Sequence, residues 1–280
     1  MRDILLQVDT YAEPTSPVAI DQTIALTRAI GGKLSAVATH IDMQVPDSWL
    51  AEKLLHVSRL AAIEESKSAE AGRTSLLHFT KSAEAAGVLG EAIMVRAGLH
   101  GVGPCVARHA RTRDLCVVAV SNAGDSQRSV AEEVLFGSGR PLLVFHPEKV
   151  PLPSERLGRV TVAWDGGRHA ARAVADSISL LRQSTDVRVL TFVGEKATTH
   201  SGMSLDLVRH LRSHGVEATV DEIDGQNRSI GASFENYIEE FGPQLMVMGA
   251  YGNSKLKEFI LGGATEHVFN NLRVPTILSH

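Results

Sequence analysis

The chain has 280 residues, of which 44% are hydrophobic, and this is enough apolar material for one large or two ordinary domains. A formal net charge of −4 gives no basic field for nucleic acid or anionic lipid. No apolar run approaches the roughly 20 residues of a membrane span. The first ten residues, with Asp3 among them, are not typical of a signal peptide. We therefore expect a cytoplasmic protein that engages neither nucleic acid nor membrane.

Apolar runs typical of strands alternate with helical patterns along the first half of the chain. Ser16 followed by Pro17 predicts the start of the first helix, and Gly31 with Gly32 predicts its end. The first half has about 26 residues more than the second half before its fourth strand. These extra residues are predicted to lengthen the helical region around residues 48–86, which is rich in Ala, Glu, Leu and Lys. Strands are predicted at residues 3–8, 34–40, 91–96, 115–120 and 141–146. Cys105 and Cys116 lack a CxxC spacing and are predicted to be buried free thiols.

The second half repeats this alternation after a segment rich in proline and charge. Residues 147–158 contain three prolines and are predicted to form a linker. One helix is predicted from the apolar stripe formed by Ala170, Val174, Ile178 and Leu181. Strands are predicted at residues 159–164, 187–193, 216–223, 244–248 and 274–279.

Three sequence segments recur in the same order in both halves. Residues 4–9 match 160–165, residues 113–120 match 243–250, and residues 140–146 match 274–280. A repeat this long indicates a duplicated domain, because a solenoid unit is much shorter. We therefore predict two α/β domains, residues 1–146 and 159–280, each a five-stranded parallel sheet with helices on both faces.

A spaced set of glycines follows the predicted strand at residues 244–248. Gly249, Gly252 and Gly262 have two and then nine residues between them. Glycine lets the backbone approach a ligand closely, and a helix N-terminus offers N–H groups to an anion such as phosphate. A strand, a glycine turn and a helix start in this order indicate a nucleotide site.

This glycine spacing resembles that of the universal stress protein family, whose nucleotide-binding members carry Ser or Thr after the last glycine. Here Gly263 stands at that place, so one hydroxyl ligand is missing, a loss of about 0.5 to 1.5 kcal/mol for a neutral hydrogen bond. The resemblance implies a HUP or Rossmann-like fold with strand order 3-2-1-4-5 in each half. It also implies an adenine nucleotide as ligand (ATP, ADP or AMP), with or without Mg²⁺.

The resemblance implies roles for residues on both sides of the reversal in strand order. Asp165 corresponds to an aspartate beside the nucleotide, and Val193 to a position whose backbone meets adenine. The alternatives are that Asp165 caps the next helix, that Val193 is an ordinary strand-end residue, and that the glycines only permit tight turns. The candidate ligand-binding residues are Asp165, Val193, Met248, Gly249, Tyr251, Gly252, Gly262, Gly263, Ala264 and Thr265.

The first half lacks the glycine set, since Ala119 aligns with Gly249 and Asn122 aligns with Gly252. We therefore predict a first half without nucleotide. In relatives the last strands of two such domains pair antiparallel, which implies pairing of residues 142–145 with 276–279 within this chain. Dimerisation of the whole chain is a further possibility for its assembly.

We expect no catalytic or metal site. The sequence contains no GxSxG, and the histidines, including His40, His146 and His280 near strand ends, are interpreted as having no metal-ligand spacing. The leading hypothesis is a tandem, regulatory nucleotide-binding protein. The alternatives are a protein-interaction module without nucleotide and a slow ATP hydrolase.

Overall fold

The computed structural model describes residues 1–43, 57–121, 125–194, 199–224, 230–250 and 271–280. In the first half the elements are β1 (Asp3–Val8), α1 (Pro17–Ala29), β2 (Lys33–Asp42), α2 (Val57–Ala85), β3 (Leu89–Gly98), a 3-10 turn (Leu99–Gly101), α3 (Val102–Ala110), β4 (Leu115–Ala119), α4 (Asp125–Gly137) and β5 (Leu142–Phe145). In the second they are β6 (Arg159–Ala163), α5 (Arg168–Leu181), β7 (Asp186–Val193), α6 (Ser204–Ser213), β8 (Ala218–Asp224), α7 (Ile230–Phe241), β9 (Leu245–Gly249) and β10 (Thr276–Ser279). Each predicted strand is present, with ends that differ by at most two residues.

The strands form one ten-stranded sheet in the order β3-β2-β1-β4-β5-β10-β9-β6-β7-β8. Within each half the pairs are parallel and the order is 3-2-1-4-5, which confirms the predicted fold. The halves meet where β10 runs antiparallel to β5, with Ile277 opposite Leu143 and Leu278 opposite Leu142. The sheet is therefore mixed and continuous.

Two apolar layers cover the faces of this sheet, and both contain residues from each half. Leu143 and Ile277 belong to the layer on one face, whereas Leu142 and Leu278 belong to the layer on the other. Successive strand residues point to opposite faces, so each strand supplies both layers. This double coverage explains why the central strands β4 and β5 are apolar throughout.

The helix signals in the sequence act as predicted. The Ser16 side chain accepts a hydrogen bond from the Ala19 N–H at 3.2 Å, and Pro17 occupies the first turn of α1. Gly31 follows the helix with φ of 70°, a conformation that glycine adopts without a Cβ penalty. The stripe predicted for α5 packs against the sheet: Ala170, Val174 and Leu181 are buried and Ile178 is partly buried.

The insertion predicted in the first half corresponds to α2, whose 29 residues exceed the 10 residues of α6. Residues 44–56 of that region lie outside the described residues. Cys105 and Cys116 are buried free thiols, as predicted. Complete burial raises the pKa of the Cys116 thiol to about 12, so this group is inert at neutral pH. Among the described helices, none is long and apolar enough to cross a bilayer.

Candidate functional site

The strand order of the second half reverses between β6 and β9, which lie side by side with Ala163 opposite Met248. Open α/β sheets bind ligands at the carboxyl ends of the strands that flank such a reversal. Asp165 follows β6 and Gly249 ends β9, so the structure brings these two predicted residues to the same crevice.

Asp165 lies at the mouth of the crevice and is half-buried. Its Oδ1 accepts a hydrogen bond from the Gly167 N–H at 2.8 Å, across Gly166, whose φ is 70°. This bond holds the carboxylate against the loop directly before α5. The arrangement resembles the alternative in which Asp165 caps the next helix. The bond uses the Oδ1 atom of Asp165. The role of Asp165 in binding a ligand stays a prediction.

Gly249 is required for close packing of helix α5 on the sheet. A Cβ at this position would lie 2.4 Å from the Ala170 nitrogen and 2.5 Å from the His169 carbonyl carbon. The absence of a side chain therefore lets the first turn of α5 press against the end of β9. The glycine has a structural reason that does not depend on a ligand.

The start of α5 has no side-chain cap. Its N-cap residue is Gly167, and the Ala171 N–H is bonded to the Gly167 carbonyl at 3.0 Å. The first N–H groups of a helix have no partner within the helix and carry a partial positive charge. The uncapped start of α5 therefore offers backbone donors at the crevice, beside Gly249.

Two histidines that the sequence interpretation did not place at the site border this crevice. The rings of His169 and His280 stack with centroids 4.4 Å apart, and His280 Nδ1 lies 3.4 Å from the Ala250 carbonyl oxygen. Burial, followed by His280 and Arg168, lowers the pKa of His169 and favours its neutral form. A signal was available for His169, because it follows Asp165 by four positions, in the first turn of the helix after the site strand.

The remaining predicted ligand residues divide into two groups. Val193 ends β7 and is half-buried, whereas the Met248 side chain is buried in a core layer. The other predicted residues, Tyr251, Gly252, Gly262, Gly263, Ala264 and Thr265, lie outside the described residues.

The first half shows a different environment at the equivalent position. Asp9 is 7% exposed, and its Oδ1 accepts a hydrogen bond from Gln7 Nε2 at 2.7 Å. Burial raises the pKa of the Asp9 carboxyl to about 6, although hydrogen bonds from Gln7 and Gln127 offset part of the effect. The neighbouring helix α1 is capped by Ser16, so its start offers fewer free donors than that of α5.

One histidine spacing was overlooked in the sequence interpretation. His210 and His214 are four positions apart, a HxxxH spacing, and their rings lie 4.7 Å apart at the end of α6. Within the described residues no group of three or more His, Cys, Asp or Glu side chains is placed to hold a metal ion. The pair therefore lacks a third protein ligand in that part of the chain.

Comparison with known proteins identifies the second half directly. Residues 157–280 match the model of the universal stress protein family, and this range includes every predicted ligand residue. No curated protein matches the chain in sequence. A universal stress protein from Archaeoglobus fulgidus DSM 4304 superposes with a TM-score of 0.69 at 16% identity, covering 98% of this chain and 95% of its own.

Two further solved structures are similar to this chain. A protein from Pseudomonas aeruginosa UCBPP-PA14, provisionally described as a universal stress protein, covers 100% of this chain and 93% of its own with a TM-score of 0.55 and 13% identity. A universal stress protein solved in complex with cAMP covers 52% of this chain and 99% of its own, with a TM-score of 0.33 and 19% identity, too low to inform the ligand of this chain. The two full-length matches show that this chain shares its fold with those two solved structures. The second half of the chain, residues 157–280, is therefore a universal stress protein family domain.

Proposed function

We propose that the second half binds an adenine nucleotide (ATP, ADP or AMP) at the carboxyl ends of β6 and β9. The observation that carries this proposal is the uncapped start of α5 in the crevice between Asp165 and Gly249. Backbone donors and a helix dipole at that point favour a phosphate group. The crevice also lies within the family domain.

The residues take complementary roles in this proposal. Asp165 accepts a hydrogen bond from the ribose or adenine edge, and the Val193 backbone borders the base. Gly252, Gly262 and Gly263 let the chain approach the phosphates, and the N–H groups of Ala264 and Thr265 bind phosphate oxygens. The absence of a hydroxyl at Gly263 weakens phosphate binding by about 0.5 to 1.5 kcal/mol without abolishing it.

The nucleotide serves as a regulatory ligand in a stress response, and the chain is not an enzyme in this proposal. The first half completes the fold and takes no nucleotide. The pairing of β5 with β10 covers one sheet edge of each half within the chain, which leaves dimerisation of whole chains to other surfaces. A cytoplasmic location fits the two free buried cysteines, because the cytosol keeps thiols reduced.

Calorimetric titration of the full chain with ATP, ADP and AMP, each with and without Mg²⁺, tests the proposal. Asp165→Asn keeps one acceptor oxygen for the Gly167 N–H but removes the charge, and we expect nucleotide affinity to fall about tenfold, the scale of a hydrogen bond to a charged group. Asp9→Asn is the matched control, because it makes the same change in the first half and leaves nucleotide affinity unchanged. Absence of heat at millimolar nucleotide would refute the proposal.

Gly263 favours one competing function, a protein-interaction module that binds no nucleotide. In that case neither titration heat nor a nucleotide-induced thermal shift is expected. A slow ATP hydrolase is the other alternative, and a turnover assay with Gly252→Asp as the binding-deficient control separates it from a sensor.

A further inference from the structure

Arg168 is the first residue of α5 and is exposed beside the crevice of the second half. The helix starts there without a side-chain cap, so the positive end of its dipole lies next to the guanidinium. A cation is unfavourable at this end of a helix. Among the described residues Arg168 forms no ion pair, whereas Arg172, one turn further along α5, pairs with Asp176 at 3.0 Å. Arg168 therefore presents a positive charge where an anion would be stabilised twice.

One hydrogen bond holds the Arg168 side chain close to the end of β9. Its Nε donates to His169 Nε2 at 3.1 Å. His169 is 8% exposed and lies against the strand end, since a Cβ on Gly249 would be 2.9 Å from the His169 Cβ. Burial lowers the pKa of His169, so the ring is neutral and Nε2 accepts. The bond uses Nε, which leaves the two terminal amino groups of the guanidinium for a planar, forked contact such as phosphate provides.

Three rings connect this arginine to the first half of the chain. Phe136, in the last turn of α4, meets His280 edge to face with ring centroids 4.8 Å apart. His280 in turn stacks on His169, with centroids 4.4 Å apart and an angle of 20° between the rings. Both arrangements are favourable for aromatic rings. We call Phe136, His280 and His169 the aromatic ladder, and it brings a side chain of the first half to the crevice of the second.

The charges around His169 are sorted by sign. Arg168 lowers the pKa of this histidine, whereas Asp165 raises it, so both charged groups act on the same ring. Asp165 accepts the Gly167 N–H on the loop before α5. A carboxylate suits the hydroxyl or N–H groups of a nucleoside, and a guanidinium suits a phosphate. The two side chains therefore match the two ends of a nucleotide.

From this arrangement we propose that Arg168 binds a phosphate oxygen of the nucleotide and that the aromatic ladder positions it. The guanidinium supplies a side-chain contact to phosphate in a chain that has Gly263 in place of a hydroxyl residue. The first half, which takes no nucleotide itself, then contributes to the site through Phe136. This inference rests on the nucleotide binding proposed above.

Calorimetric titration of the full chain with ATP and with adenosine tests the role of Arg168. Arg168→Gln is expected to weaken ATP binding about tenfold, the scale of a hydrogen bond to a charged group, and to reduce the salt dependence of ATP binding. Adenosine affinity stays unchanged, because adenosine has no phosphate. Arg212→Gln is the matched control: Arg212 is exposed in the last turn of α6, where it pairs with Glu217 at 3.4 Å, and both affinities are retained.

Variants of the aromatic ladder test the positioning. His169→Leu removes the acceptor for Arg168 and is expected to weaken ATP about threefold, whereas His169→Gln offers an acceptor oxygen and keeps most of the affinity. Phe136→Ala in the first half is expected to weaken ATP about twofold. Leu77→Ala is its control, because both side chains are about half exposed and Leu77 lies on α2. None of these variants changes adenosine affinity.

The outcomes separate this inference from the proposed function. If ATP and adenosine bind but Arg168→Gln leaves ATP affinity unchanged, or lowers both affinities equally, the phosphate role is overturned and nucleotide binding stands. If Arg168→Gln acts as expected but His169→Leu and Phe136→Ala do not, the positioning by the ladder is overturned. If the parent chain binds neither ligand, the proposed function and this inference fail together.

Discussion

Asp9 and Asp165 occupy equivalent places after β1 and β6, yet their surroundings give the two carboxyl groups different properties. Asp9 is buried behind Thr15, and one of its oxygens has no partner. Asp165 is only half-buried, and its Oδ1 accepts from the Gly167 N–H. A buried carboxyl favours the protonated form, whereas a half-exposed one keeps its charge available for a ligand. The same residue type thus suits a ligand site only in the second half.

The buried position of Asp9 predicts a pH-dependent stability difference. Its pKa is 3.8 in the unfolded reference and about 6 in the fold, so the native state binds the proton more tightly. The free energy of unfolding therefore falls as pH rises from about 4 to 6 and then levels off, by up to about 3 kcal/mol from this group. Asp9→Asn lacks the titration. Urea unfolding of both proteins from pH 4.5 to 7.5 measures their free energies of unfolding. We expect the parent to lose stability relative to the variant as pH rises to about 6, and a difference that stays constant with pH would contradict this.

Gly249 predicts a large effect of one added methyl group. Because a Cβ would collide with backbone atoms of α5, Gly249→Ala is expected to destabilise the fold by about 2 kcal/mol or more. Gly101→Ala is the matched control, since its Cβ would meet only the Ala97 Cβ at 3.7 Å. Denaturant midpoints measure both variants. Equal midpoints would show that α5 does not pack on β9 as described.

At the scale of elements, a buried serine anchors one helix to the sheet in each half. In the first half, Ser68 of α2 contacts Thr10 Oγ1 at 2.7 Å and accepts from the Ile41 N–H at 3.0 Å. In the second half, Ser204 of α6 contacts Thr191 Oγ1 at 2.7 Å. Both anchors are fully buried, so their hydrogen bonds are shielded from water.

The two anchors differ in what their removal leaves unpaired. In both variants the threonine hydroxyl keeps a carbonyl acceptor, Thr39 for Thr10 and Trp164 for Thr191. Ser68→Ala in addition removes the partner of the buried Ile41 N–H, whereas Ser204→Ala affects only the contact with Thr191. We expect about 2 kcal/mol of destabilisation for Ser68→Ala and about 1 kcal/mol for Ser204→Ala. Chemical denaturation compares them directly, and the reverse order would disprove this account of the anchors.

The elements themselves were predictable from local chemistry. Strand periodicity and the Ser16 and Pro17 signal act within a few residues, so the sequence indicates them without tertiary information. Gly249 shows what escapes such reasoning. Its packing against His169 depends on how α5 returns to the sheet, which no local pattern records. The stacking of His169 on His280 likewise joins residues far apart in sequence.

At the scale of the whole molecule, the antiparallel contact of β5 with β10 turns two domains into one structural unit. The core layers on both faces continue across this joint, through Leu143 and Ile277 on one side. Contacts between the halves add to it, such as the bond from Arg172 Nη2 to the Gly139 carbonyl at 3.3 Å. Domains joined only by a linker would share neither a layer nor a strand pair.

A shared core predicts that the halves unfold together, although tandem domains often unfold in separate steps. Leu143 is fully buried opposite Ile277, so Leu143→Ala opens a cavity at the joint and is expected to cost about 2 to 5 kcal/mol. Calorimetry should show one transition for the parent chain and one for Leu143→Ala, each with equal calorimetric and van't Hoff enthalpies. The transition of the variant should lie at lower temperature. Leu77→Ala on the exposed face of α2 is the control and leaves the midpoint nearly unchanged, because this side chain is 57% exposed. Two resolved transitions in the parent chain would mean that the joint does not couple the halves.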